Sequence, residues 1–241
     1  MLSKFELSLY KRHLNISSWG IKNQEKLKKA KIFVAGAGGL GSPLLFYLAA
    51  AGLGHFTIVD NDQISLSNLN RQILYKQSQI GQFKVDLASK IIKEFNPNVI
   101  ITKIKDKITS INVEELIGDN DLIIDCLDNF TTRFLLNKVS VQRRIPLLHA
   151  GVADFNGQVT FLNPPLTPCL ACFAPKKDSE DNLSVMGAVV GIIGSIQAME
   201  VVKYFTGQGE NLINKIFFFD GLDLKSRIVQ VKKNPNCQVC G

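Results

Sequence analysis

The stretch KIFVAGAGGLGSPLLFYLAAAGLGHFTIVDND, Lys31 to Asp62, constrains the fold more than any other part of the chain. KIFVAG and HFTIVD are short apolar runs rich in branched and aromatic residues, and the helical segment SPLLFYLAAAGLG lies between them. They read as parallel strands joined by a crossover. Gly36, Gly38 and Gly41 give a GxGxxG spacing between the first strand and the helix, with Gly39 adding a further bare position. Missing side chains permit the turn, let a phosphate reach backbone N–H groups and let the helix pack closely, while the helix N-terminus favours negative charge. Asp60 closes the second strand, where a carboxylate accepts hydrogen bonds from a ribose hydroxyl pair. These features predict a nucleotide site. They leave open whether it takes a dinucleotide or ATP.

The alternation continues along the chain. Lys84 to Phe95 reads as a helix ending before Pro97, NVIITKI as a strand, INVEELI as a short helix and DLIIDC as a strand. The amphipathic NFTTRFLLNKVSVQRR then leads to a strand at IPLLHAG. This is the pattern of an α/β fold with a Rossmann-like doubly wound, mostly parallel sheet. After Gly151, GQVTFLNP and KIFFFDGLDLKSRIVQV lack such helices, so antiparallel strands are expected to continue the sheet. Between them lie a proline-rich turn, a cysteine pair, the polar stretch APKKDSEDNLS, expected as a mobile loop, and one long apolar helix ending near Phe205. A length of 241 residues fits a single domain over 1–241, with a nucleotide-binding half (1–150) and a second half (151–241).

Charge and cysteine usage narrow the classes further. The formal net charge of +7 comes from scattered lysines rather than one block, so no nucleic-acid tail is expected. MLSKFELSLYKRHLNISSW lacks a continuous apolar segment, so no secretory leader and a cytoplasmic location are expected. LSVMGAVVGIIGSIQAM carries serines, a glutamine and glycines and reads as a buried helix, not a membrane span. Four of the five cysteines form two Cys-x-x-Cys pairs, Cys169/Cys172 and Cys237/Cys240, which in a reducing compartment suit a structural zinc site. The second pair lies close to the end of the sequence, so such a site would pin the tail. Cys126 ends an apolar strand and is expected to be a small buried core residue. His13, His55 and His149 show no triad or metal spacing and are expected to be structural or surface residues.

After Asp60 the segment NDQISLSNLNRQILYKQSQIGQFKVD supplies Asn68, Arg71, Gln72 and Lys84. Two cations beside a phosphate-binding loop stabilise charge during displacement at phosphorus. Together, GAGGLGSP, VDND, SLSNLNRQ, GQFKVD, DCLDN, GIIGSIQAMEVVK and the cysteine pairs resemble the ubiquitin-activating enzyme superfamily, in particular its ThiF/MoeB/HesA branch, from about Tyr10 onward.

That resemblance implies a homodimer that uses ATP and magnesium to adenylate the C-terminal glycine of a small ubiquitin-fold sulfur-carrier protein ending in Gly-Gly. The carrier would be ThiS-like or MoaD-like, in thiamine or molybdopterin biosynthesis. Residue by residue, the resemblance gives Gly38 and Gly39, within the Gly36 to Gly41 loop, to the phosphates, and Asp60 to the ribose. Asn68, Arg71 and Gln72 would line the triphosphate, Lys84 would contact its phosphates, and Asp128 would hold magnesium with Asn129 beside it on the nucleotide. Arg12, in LYKRH, would reach into the partner protomer's site. Relatives that form a carrier thioester have a cysteine before the GIIGSIQA helix, near where Glu180 stands here. Adenylation without a covalent carrier intermediate, and sulfur from a separate donor protein, are therefore expected. No rhodanese domain is expected after Gly241. The alternatives are activation of another carboxylate (a peptide precursor or a tRNA threonylcarbamoyl group), a catalytically silent partner subunit, and a nicotinamide oxidoreductase.

Overall fold

The computed structural model describes residues 1–174 and 184–241. Three N-terminal helices, α1 (Lys4–Leu9), α2 (Lys11–Leu14) and α3 (Gly20–Lys29), precede β1 (Lys31–Ala35). Helix α4 (Gly41–Ala51), β2 (His55–Val59), α5 (Lys84–Phe95), β3 (Ile100–Ile104), α6 (Val113–Ile117), β4 (Leu122–Asp125), α7 (Phe130–Arg143) and β5 (Leu147–Ala153) give the expected alternation. Then come β6 (Asn156–Leu162), α8 (Gly187–Thr206), β7 (Lys215–Asp220) and β8 (Lys225–Gln230).

All eight strands lie in one sheet of order β3-β2-β1-β4-β5-β6-β7-β8. The pairings from β3 to β5 are parallel, and those from β5 to β8 antiparallel. The doubly wound sheet expected from the sequence, with its antiparallel continuation, is therefore what the chain forms.

Alternation along the central strands sorts the core into two layers. Ile32, Val34, Ile58 and Ile124 face α4, α5 and α8, packing on Leu44, Leu45, Leu48, Val85, Ile92 and Ile193. Phe33, Ala35, Ile123 and Leu147 face the opposite way, toward α6 and α7, against Ile117, Leu136 and Val139. Because both faces of β1 are covered, the strand is apolar without a break from Ile32 to Ala35. The outer strand β8 is exposed along its whole length.

Helix α8 is long and apolar enough by length and composition to cross a membrane, yet it packs on α4, β5 and β6 and buries Val189, Val190, Ile193, Gln197 and Val201. It is a core helix. The strand read from Asn98 begins two residues later, since Asn96 Oδ1 accepts from the Asn98 backbone N–H at 3.1 Å and holds a turn there. The polar stretch expected to be mobile falls largely within residues 175–183, outside the described residues.

Candidate functional site

The chain winds outward from β1 in one direction through β2 and β3, and in the other through β4 and β5. A crevice forms at such a reversal, beyond the carboxyl ends of the strands. Here the glycine loop after Ala35 and the turn after Asp125 face each other across a cavity of about 460 Å³. Two close approaches explain the loop's composition. Gly36 has φ +97°, and a Cβ on Gly41 would lie 2.3 Å from the Gly36 carbonyl oxygen, so neither position admits a side chain without backbone movement.

Asp60 binds the loop to the next strand. Its Oδ2 accepts from the Ala37 N–H at 2.8 Å, and its Oδ1 from the Asp62 N–H at 2.8 Å. Each oxygen keeps further acceptor capacity, and the residue lines the cavity. Burial pushes the Asp60 carboxyl above the usual range, although these N–H groups and Lys84 oppose the shift. The Tyr75 hydroxyl lies 2.7 Å from the Ala37 carbonyl and 3.2 Å from that of Lys84, joining the loop to the start of α5. Lys84 itself is buried, and its Nζ pairs with Asp62 Oδ2 at 2.8 Å.

Arg71 also lines the cavity, steadied by Nη1 donating to the Ser67 carbonyl at 2.9 Å and to Asn70 Oδ1 at 3.0 Å. Gln72 lies close beneath Gly38, and its buried Oε1 has no partner among the described residues. Asp128 and Asn129 complete the wall on the other side. Asn129 caps α7 by accepting from the Thr132 N–H at 2.9 Å, which leaves Asp128 exposed.

Three of the expected residues stand elsewhere. Asn68 does not line the cavity; its Oδ1 accepts from the Ser65 N–H, and its carbonyl accepts from the N–H groups of Arg71 and Gln72. It builds the turn that presents those two residues. Gly41 lies behind the loop, packed on Gly36. Arg12 is exposed on α2 and does not line this cavity.

Several residues were not foreseen. Val152, Val185 and Val190 give the cavity an apolar wall, Asp62 holds Lys84, and Arg133 lies at the base. Below the site, fully buried Asp125 faces Arg133 Nε at 3.2 Å and His149 Nδ1 at 2.6 Å. Burial alone would raise the Asp125 carboxyl, but the Arg133 charge and the His149 bond hold it below its ordinary value. A sign for Arg133 was present, four residues after the α7 cap on one helix face, but a lone arginine there reads as a solvated cation.

The Sγ atoms of Cys169, Cys172, Cys237 and Cys240 all lie within 4.8 Å of one another. Two of the separations are 3.7 Å (Cys169 to Cys237) and 3.5 Å (Cys172 to Cys240). A zinc–thiolate bond of about 2.3 Å implies tetrahedral edges of about 3.8 Å, so this donor set fits zinc. Asn137 Oδ1 accepts from the Leu170 N–H at 2.8 Å and fastens α7 to the first pair. Cys126 is buried as expected, with Sγ 3.9 Å from Gln197 Oε1, and burial pushes its thiol well above the ordinary value. Glu180, near the position where relatives carry a cysteine, lies outside the described residues.

Comparison with known proteins agrees with this geometry. The ThiF family model matches residues 10–239. The sulfur carrier protein adenylyltransferase of Thermus thermophilus is 36% identical over 250 residues, covering 99% of this chain and 92% of that protein. The SAMP-activating enzyme E1 of Haloferax volcanii is 35% identical over 246 residues, covering 100% and 91%. Adenylyltransferase and sulfurtransferase MOCS3 of Caenorhabditis briggsae is 37% identical over 248 residues, and this chain spans 62% of its length. Among solved structures, E. coli MccB with MccA-N7isoASN has a TM-score of 0.89 at 25% identity, covering 97% of this chain and 75% of that one.

Proposed function

The chain belongs to the ThiF family, among the adenylyltransferases of the ubiquitin-activating-enzyme-like type, and on that premise we propose that it adenylates the C-terminal glycine of a ubiquitin-fold sulfur-carrier protein with ATP. The observation that carries this is the convergence of the glycine loop, Asp60, two cationic side chains and Asp128 on one cavity. A hydride-transferring site has no need for that pair of cations, so the nicotinamide reading gives way to ATP.

In this proposal the backbone N–H groups of Gly38 and Gly39 and the N-terminus of α4 receive phosphate oxygens. Asp60 accepts from the ribose hydroxyls. Arg71 and Lys84 offset charge on the phosphates, and for Lys84 this means leaving or sharing Asp62. Asp128 would hold magnesium, with Asn129 beside it on the nucleotide; the metal when bound supplies charge neutralisation at the leaving pyrophosphate. The carrier's carboxylate is already ionised at neutral pH, so no protein base is required. It attacks the α-phosphorus; the bond to the bridging oxygen breaks, and pyrophosphate leaves from an acyl adenylate. Positioning and charge neutralisation carry the catalysis.

Arg12, exposed on α2, is assigned to the partner's site in a homodimer, and the four-cysteine cluster to structural zinc. We place the reaction in the cytoplasm, in thiamine or molybdopterin synthesis, with sulfur delivered by a separate protein. All five cysteines are accounted for: four are in the cluster, and Cys126 is buried with its thiol raised. With zinc holding the four, that leaves no free thiolate for a carrier thioester.

Cys126→Ser is accordingly expected to retain carrier adenylation within about threefold, because buried Cys is a small apolar group rather than a nucleophile. Mass spectrometry of intact carrier, incubated with ATP and the variant, reads this directly. Loss of the carrier adenylate in a folded variant would refute the assignment. Pairing the enzyme with a ThiS-like and a MoaD-like carrier in the same assay separates the two pathways. Adenylation of a free peptide carboxylate, with neither carrier accepted, would favour the alternative of a peptide-precursor substrate.

A further inference from the structure

We infer that Arg133 is a positioning residue for this reaction, acting through the backbone of Leu127 to aim the carboxylate of Asp128 into the cavity. The inference rests on the function proposed above.

Asn129, the cap of α7, and Arg133 and Asn137 within it recur every four residues and so share one helix face. The latter two turn inward. Arg133 is 5% exposed and Asn137 1%. The Arg133 guanidinium donates through Nη2 to the Leu127 carbonyl and, at 3.1 Å, to the Ala150 carbonyl, while its Nε faces Asp125 Oδ2 at 3.2 Å. Phe130 closes it from above, with its ring centroid 4.9 Å from Cζ. Asp125 in turn accepts from the Leu127 N–H at 3.0 Å through its other oxygen.

Both backbone groups of Leu127 are thus held by one mutually paired acid and base. Leu127 immediately precedes Asp128, so the peptide planes that set where the Asp128 side chain leaves the chain are fixed from below. The Asp128 carboxylate is itself exposed, and Asn129 Nδ2 reaches it only at 3.5 Å.

The arrangement is not what fold stability alone would select. An ionised carboxylate and a guanidinium have been taken out of water, and apolar groups of the same volume serve packing as well or better. His149 adds to this. Its Nδ1 lies 2.6 Å from the same Asp125 oxygen that faces Arg133, while its Nε2 is buried without a partner among the described residues. The pairing of β4 with β5 sets Asp125 beside His149, so the anchor is built into the sheet. Lysine does not reproduce Arg133 here: Nη2 reaches both carbonyls while Nε faces the carboxylate, and one ammonium nitrogen cannot stand in both places as the planar fork does.

The test uses the full chain with Mn²⁺ as a paramagnetic stand-in for magnesium and a non-hydrolysable ATP analogue. Free Mn²⁺ is followed by electron paramagnetic resonance, and metal-free binding of AMP by calorimetry. Arg133→Lys is expected to weaken Mn²⁺ about tenfold, the usual scale for losing a group that orients a ligand, while AMP affinity stays within about twofold. Asp125→Asn, which preserves shape, is expected to move Mn²⁺ in the same direction. His149→Asn, whose amide can donate from the Nδ1 position, should bind Mn²⁺ nearly as the native chain does. Native Mn²⁺ affinity in Arg133→Lys or Asp125→Asn overturns the inference, and so does an equal loss of AMP and Mn²⁺, which marks a merely structural role. A native enzyme that binds Mn²⁺ and the analogue yet adenylates no carrier would sink the proposed reaction, while the Arg133 result could still be read from the same titrations.

Discussion

Asp128→Ala is expected to lower carrier-dependent adenylation about a thousandfold and to leave the fold intact, the scale found when one preorganised stabiliser of transition-state charge is removed. The two halves of this expectation have separate physical grounds. Asp128 stands at the mouth of the turn between β4 and α7 and is exposed, with Asn129 Nδ2 at 3.5 Å. Truncating such a side chain costs within about 0.5 kcal/mol of stability. Its chemistry is another matter. Displacement at phosphorus accumulates charge on the leaving pyrophosphate, and Asp128 is the exposed carboxylate placed across the cavity from the phosphate-binding loop. The nearby acids are engaged: Asp60 accepts from two backbone N–H groups, Asp62 pairs with Lys84, and Asp125 is sealed beneath Arg133. Single-turnover formation of the carrier adenylate, with circular dichroism alongside, measures both halves. An Asp128→Ala variant with native rates would remove the magnesium assignment.

The second large effect concerns the cysteine cluster. Cys237→Ser is expected to release one equivalent of zinc and to lower the thermal midpoint by about 10 °C, since about 3–4 kcal/mol of stabilisation corresponds to that shift in a chain of this size. The tail has little else to hold it. Residues 232–236 are exposed, and the cluster's apolar surroundings are confined to Val141 and Ala171. The first pair is fastened to α7 through Asn137, so the four thiols join the end of the sequence to the helix that carries Arg133. Metal analysis by plasma mass spectrometry and a melting curve test this together. A native protein containing no zinc, with a midpoint indifferent to Cys237→Ser, would contradict it.

How much of this could be read before the structure depends on the range of the interactions involved. The glycine loop, the ends of α5 and the strand carrying Asp60 are set by neighbours within about thirty residues, and local pattern sufficed for them. The cysteine cluster was legible because thiols at fixed spacing have few other uses. Arg133 was not, since its meaning comes from Asp125 on β4 and Ala150 on β5, which only sheet pairing brings to it. The local role of Asn68 was not legible for a related reason. Its side chain caps its own turn, a local bond that competes with any contact to a ligand. Arg12 lies outside the cavity in a single chain, so its proposed role requires a second copy.

The account turns on whether this cavity activates a carboxylate with ATP. Exchange of labelled pyrophosphate into ATP reads that reversal of adenylation directly. With magnesium and a ubiquitin-fold carrier ending in Gly-Gly, exchange should appear, and it should vanish when the terminal glycine is removed. Exchange absent with every such carrier, alongside tight uptake of a nicotinamide dinucleotide, would contradict it.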